Sequence, residues 1–129
     1  MKNFLSILPR WIPALVVMIV IFLFSSRSTS ELPNFLGWDY VIKKTAHIIE
    51  YGLLALTFLF AFRFDPKYRW VAWLLAILYA ATDEYHQSFV PGRHSSLMDV
   101  LLFDNIGAFA ALWLYSVFGS RNEKETHQA

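Results

Sequence analysis

Four apolar stretches, at about residues 11–26, 44–62, 70–88 and 97–118, leave this chain few structures to adopt. Each is close to the ~20 residues that a helix needs to cross a hydrocarbon layer ~30 Å thick. The chain is 57% hydrophobic and 16% charged, against ~25% charged in a typical globular domain, and its mean hydropathy is +0.42. The expected class is therefore membrane, and the expected fold is all-α, a four-transmembrane-helix bundle. A length of 129 residues allows one domain. A net charge of +1 provides no basic stripe for nucleic acid. Without cysteine there is no disulfide framework, thiolate nucleophile or zinc-thiolate site.

Punctuation between the stretches sets their bounds. Pro9 and Pro13 suit the start of the first span, where the amide donors have no intrahelical partner. Lys2 and Arg10 before an apolar run resemble a secretory signal, but Ser25-Ser26 makes a poor cleavage site, so the stretch reads as an uncleaved span. Arg27 and the polar run to Asn34 end it, and Trp38 and Tyr40 in the loop of residues 27–43 read as interfacial aromatics. The second span begins near Lys44 and closes at Arg63 and the turn Asp65-Pro66-Lys67. The third begins at Trp70, and Pro91-Gly92 marks the turn after it, with proline at a fixed φ and glycine free to take a positive one. Serine at 95 or 96 reads as the N-cap of the fourth span, and the tail from Arg121 reads as frayed.

Lysine and arginine are unevenly shared between the two sides of such a bundle. Lys2, Arg10, Arg63, Lys67, Arg69, Arg121 and Lys124 fall on one side, and Arg27, Lys43, Lys44 and Arg93 on the other. The positive-inside rule then predicts a multi-pass protein of the cell membrane with both termini cytoplasmic.

The polar residues inside the spans are the anomaly, because a charge in hydrocarbon costs at least ~2.5 kcal/mol even on lenient insertion scales. At ~1.5 Å per residue from the inner boundary, Glu50 lies ~20 Å along its helix, Asp83 ~21 Å and Asp104 ~25 Å. His47, His86 and Asp99 fall one turn further out. One depth therefore collects nearly all of them, beneath the outer loops. His47, Glu50 and Tyr51 share a helical face, as do Asp83, His86 and Gln87. Asp99 and Asp104 are five apart, which on a regular helix places them roughly 140° away from each other.

Lys44, His47 and Tyr51, followed by Asp83-Glu84, His86-Gln87, Pro91-Gly92-Arg93 and Asp99, resemble the signature of the VanZ-like family, small membrane proteins named after an accessory factor for teicoplanin resistance. The likeness covers residues 25 to about 110 and includes Ser25-Ser26. The sequence departs from the pattern at Phe103, where a polar residue is often found four after Asp99, and at Arg27, where glutamine is common. The resemblance implies a role in the cell envelope and assigns no reaction.

Three functions are compatible with these residues. In the first, an outward-facing site binds or modifies a lipid-linked cell-wall precursor or a phospholipid. Asp83, Glu84 and His86 are then the acid, base and proton-shuttle candidates, and Arg93 clamps a phosphate or carboxylate with its two-pronged guanidinium. Gln87, Asp99, His47, Glu50, Lys44 and Tyr51 line the substrate. In the second, His47, Glu50, Asp83, His86 and Asp99 supply nitrogen and oxygen ligands to zinc or manganese in a hydrolase, although no His-Glu-x-x-His pair is present. In the third, the same charges recognise a partner without chemistry. No cofactor is identifiable. The plain structural reading of each residue is interhelical glue, with Glu50 paired to Lys44 or Arg93, Lys43 snorkelling to the interface, and His94 solvated.

Overall fold

The computed structural model describes residues 2–28, 36–93 and 96–128, with the side chains of 2–5, 99 and 120–128 outside that description. All its regular structure is helical. The helices are α1 (Lys2–Ser25), α2 (Asp39–Ala61), α3 (Arg69–Gln87), a short α4 (Leu97–Asp99) and α5 (Asn105–Gln128). A π turn, Val100–Asp104, joins α4 to α5.

Three helix boundaries differ from the sequence reading, each for a local reason. α1 starts well before Trp11 and holds Pro9 and Pro13 in its interior rather than at its start. In apolar surroundings a broken helix would leave amide groups with no water to bond, so the helical path persists through both prolines. α2 begins at Asp39 rather than near Lys44. The Asp39 carboxylate stands at the positive end of the helix and takes the Lys43 ammonium at 2.7 Å one turn along, so Lys43 is paired within its own helix. At the other end of the chain, α5 stays helical to Gln128, beyond the expected fraying point at Arg121.

α2 occupies the centre and packs on α1, α3 and α5. Trp11 of α1 meets Phe58 and Phe62 near the end of α2, so the two run in opposite directions. α1 and α3 run the same way, because Tyr79 donates to the Met18 carbonyl while Gln87 reaches Ser25. His47 with Asp104, and Phe64 with Tyr115, set α2 and α5 in a common direction. The chain therefore passes back and forth, and each turn brings a helix end back to the same level.

Small residues set how closely the helices approach. Ala72, Ala76 and Ala80 recur every four positions on α3 and are wholly buried. Gly52 and Gly107 form the crossing of α2 and α5. A Cβ on Gly107 would run into the backbone of Ile48, and one on Gly52 would stand 3.0 Å from the Gly107 carbonyl oxygen. Close approach at small residues is how helices gain dispersion contact where no hydrophobic effect drives them together.

The connectors after α2 and after α3 are each closed by hydrogen bonds. After α2, Phe64 N–H bonds the Leu59 carbonyl at 2.8 Å and Arg63 N–H the Phe60 carbonyl at 2.9 Å. This is a Schellman closure, which asks for a left-handed residue after the cap and most often uses glycine. Here Arg63 takes it, at φ 60°. After α3, Arg93 N–H bonds the Val90 carbonyl at 3.2 Å, with Pro91 and Gly92 between them and Gly92 at φ 77°. That is a type II turn built from the residues it prefers.

The outer surface is greasy. Ile12, Ile19, Leu23 and Phe24 on α1, and Leu101, Phe109 and Trp113 beyond α4, all face outward. Contiguous apolar surface on this scale belongs against lipid or a partner. Two segments, Ser6–Ser25 and Val100–Gly119, are long and apolar enough to cross a membrane, with mean hydropathies of 2.4 and 1.6. α2 and α3 carry more charge, including Asp39, Lys43, Lys44 and Glu50 on one and Arg69, Asp83 and Glu84 on the other.

Candidate functional site

The buried polar side chains gather at one end. Asp83, Glu84, Gln87, Ser25 and Asp104 are buried there, Asp104 being only 1% exposed. Burying a carboxylate is costly unless donors meet it, so the arrangement turns on where those donors come from.

Asp83 is met by two donors, one from α2 and one from its own helix. Tyr51 of α2 donates its hydroxyl to Asp83 Oδ2 at 2.9 Å, and Gln87, one turn along α3, donates Nε2 to the same oxygen at 3.0 Å. Gln87 Nε2 also reaches Ser25 Oγ at the end of α1, 3.2 Å away. The second carboxylate oxygen, Oδ1, is buried and accepts no hydrogen bond from a described residue. Such an orphan acceptor is uncommon in native interiors. Asp83 is thus pinned through one of its two oxygens.

Next to it, His47 Nδ1 lies 3.1 Å from Asp104 Oδ1 and its ring stacks on Tyr51, with centroids 6.2 Å apart. Geometry along α5 explains how Asp104 comes to face inward. The i→i+5 turn at Val100–Asp104 is wider than a regular one. It brings the fifth residue on to the face that the fourth would take in an α-helix. The residue four after Asp99 is Phe103, and its ring instead sits under the Lys44 ammonium at 5.1 Å, with Tyr40 on another side at 5.5 Å. The wide separation expected for Asp99 and Asp104 assumed a regular helix, and the π turn removes that assumption. The Asp99 side chain itself, like His94, lies outside the described residues.

Glu84 points away from Asp83 toward the α4 side. Its Oε2 accepts the Ser96 amide at 2.8 Å, which ties the start of α4 to α3. It also lines a groove of about 200 Å³ together with Tyr85, Ser88 and Leu97. Ser96 is the residue before α4 but makes no side-chain cap bond; its backbone amide is what serves. Ser95 lies outside the described residues.

Two site residues lock onto the end of α1. His86 Nε2 lies 3.0 Å from Ser26 Oγ, and its ring stacks on Phe22 at 4.7 Å. The Arg93 guanidinium donates Nε to the Arg27 carbonyl at 3.0 Å and Nη2 to the Phe24 carbonyl at 2.8 Å. The Phe24 carbonyl belongs to the last turn of α1 and the Arg27 carbonyl lies two residues past it, so the contact ties Arg93 to the end of that helix. Arg93 thereby caps the end of α1 with two of its five N–H donors. Glu50 is half-buried within electrostatic range of His47, Asp83, Asp104 and Arg93, yet it forms no ion pair with a described residue, so the suggested pairing to Lys44 or Arg93 is not formed.

The structure brings Lys44, His47, Glu50, Tyr51, Asp83, Glu84, His86, Gln87 and Arg93 to one end. Among the described residues no three His, Asp or Glu side chains converge on a point that could hold a metal ion. Ser25 and Ser26 act as partners of Gln87 and His86, which spacing along a single chain could not reveal. Asn105 takes the Trp73 indole N–H at 2.7 Å and anchors the inner side of the π turn.

Compared with known proteins, the sequence matches the VanZ/LLP1 family over residues 10–119. The chain belongs to the VanZ/LLP1 family. The match runs past the stretch of resemblance seen in the sequence, taking in most of α1 and the body of α5. No curated protein and no solved structure matches the chain. Membership and the two membrane-length apolar helices together mark this VanZ/LLP1 chain as a membrane protein. All the motif residues with described side chains fall in the polar end of the VanZ/LLP1 structure, within or beside the Asp83 network.

Proposed function

We propose that the chain is a multi-pass protein of the cell envelope, with all four long helices spanning the bilayer, both termini cytoplasmic and the polar end facing outward. In this reading that end binds or modifies a lipid-linked cell-wall component or a phospholipid, and the phenotype is altered susceptibility to teicoplanin. The observation that carries it is Asp83, buried, fixed by Tyr51 and Gln87 through one oxygen and open at the other. Intramembrane acids on the inside of packed helices are functional candidates by default, and interhelical glue would be expected to leave neither oxygen orphaned.

The roles then divide by position. Glu84 lines the groove and is the acid that meets the ligand. His86, held by Ser26 at the surface, moves the proton. Asp83 orients the bound group from below, and Arg93 fixes the α3–α4 turn to α1 rather than clamping a phosphate. The positive-inside count supports the orientation, since Arg63, Lys67 and Arg69 lie at the opposite end from Asp83.

The test uses Glu84→Gln and Asp83→Asn at membrane levels equal to wild type, with teicoplanin susceptibility and envelope lipid composition as readouts. Loss of the wild-type effect in Glu84→Gln supports the reading, and its loss in Asp83→Asn as well assigns modification rather than binding alone. Unchanged susceptibility and lipids in both variants would overturn it. A non-enzymatic binding role is favoured over a metal hydrolase by the absence of a converging ligand set among the described residues. Under binding alone Asp83→Asn keeps most of the effect, because an amide still accepts the Tyr51 and Gln87 hydrogen bonds through its oxygen.

A further inference from the structure

The opposite end of the molecule holds a second feature, unconnected with the motif residues. The turn from α2 to α3 carries Arg63, Lys67 and Arg69 against one acid, Asp65. Asp65 is engaged with Lys67, taking its backbone amide at 3.1 Å and its ammonium at 3.7 Å. Arg69, the first residue of α3, donates Nε to the Pro66 carbonyl at 3.3 Å and forms no ion pair with a described residue.

Arg69 stands between two cavities, of about 250 and about 100 Å³, that share Pro66, Arg69 and Ser116. The larger is walled by Trp70, Trp73, Phe109 and Trp113. Trp73 is a fixed wall, because its N–H is held by Asn105. Trp70, Phe109 and Trp113 are more than half exposed and belong to the apolar outer surface. A cation at the head of an aromatic channel that opens sideways has the chemistry of a lipid site. Basic pockets between membrane helices take anionic head groups, and tryptophan settles at head-group level.

We propose that this cleft binds one anionic phospholipid from the leaflet at this end, its phosphate on Arg69 and one acyl chain along Trp70, Phe109 and Trp113. The Arg69 charge, which meets no acid among the described residues, selects an anionic head group over a zwitterionic one. The cavity takes the phosphate and the upper part of one chain, and the remainder stays in the bilayer. The site is independent of the Asp83 network and does not rest on any function proposed for it.

The experiment is native mass spectrometry of the full chain, stripped of lipid in detergent and titrated with phosphatidylglycerol or phosphatidylcholine. Phosphatidylglycerol should bind about tenfold tighter to wild type, a difference of ~1.4 kcal/mol. Arg69→Gln should erase that preference, while Arg63→Gln, an exposed cation outside the cleft, should keep it. Trp113→Ala should weaken both lipids alike and gives a second reading if Arg69→Gln does not fold. Equal binding of the two lipids to wild type, or equal loss in Arg63→Gln and Arg69→Gln, would overturn the proposal. Displacement of phosphatidylglycerol by undecaprenyl phosphate at equal concentration would reject the phospholipid assignment in favour of an isoprenoid carrier.

Discussion

Replacing Gly107 by alanine should separate α2 from α5, and the consequence reaches the polar site. The added Cβ would meet three backbone atoms of Ile48, its carbonyl oxygen, carbonyl carbon and Cα. Backbone cannot swing aside as a side chain can, so α5 must withdraw by roughly 1 Å to restore van der Waals contact. His47 lies next to Ile48, and its 3.1 Å bond to Asp104 would stretch past hydrogen-bonding range. Overpacking costs ~1–3 kcal/mol, and a buried carboxylate losing a partner costs a further ~1–3 kcal/mol. The expected fall is therefore about 2–6 kcal/mol. Gly52→Ala meets the Gly107 carbonyl oxygen at 3.0 Å and Ala111 Cβ at 3.3 Å, a milder conflict, and should cost less than half as much. Gly37→Ala has nothing within 4 Å and serves as the control. Unfolding of the three variants in mixed micelles with increasing SDS, followed by tryptophan fluorescence, ranks them. A Gly107→Ala protein as stable as Gly37→Ala would refute the crossing, and with it the route by which Asp104 reaches His47.

Two further outcomes follow from single contacts. Tyr51→Phe removes one of the two donors to Asp83 and should cost ~1–3 kcal/mol; in a double-mutant cycle with Asp83→Leu the second change should add little, and full additivity would show that the contact carries no coupling. Arg63→Gly should raise stability by about 1 kcal/mol, since a side chain at φ 60° is strained where glycine is not; in the same SDS titration, a lower midpoint than wild type would count against the left-handed cap.

The sequence alone determined that the chain is helical and greasy, and that its odd polar residues share a level. Those properties are local: apolar run length fixes a span, and a constant rise per residue fixes how far along it Glu50, Asp83 and Asp104 stand. The Pro91-Gly92 turn was readable for the same reason, because a proline with fixed φ followed by a glycine that can take a positive one dictates it. Family resemblance was carried by residues that turned out to sit at one end, though their mutual contacts were not written in the spacing. Tertiary structure decided the partners. Tyr51 finds Asp83 and Ser25 finds Gln87 only because α1, α2 and α3 meet at particular heights, and His47 finds Asp104 only because glycines let α2 and α5 cross closely. It also decided that Arg93 caps α1 and that Asp104 faces inward, the latter through one wide turn that a pattern of 3.6 residues cannot anticipate. Local rules specify each helix by itself, whereas the pairing of buried polar atoms depends on how backbones pack, and packing is a property of all the helices together.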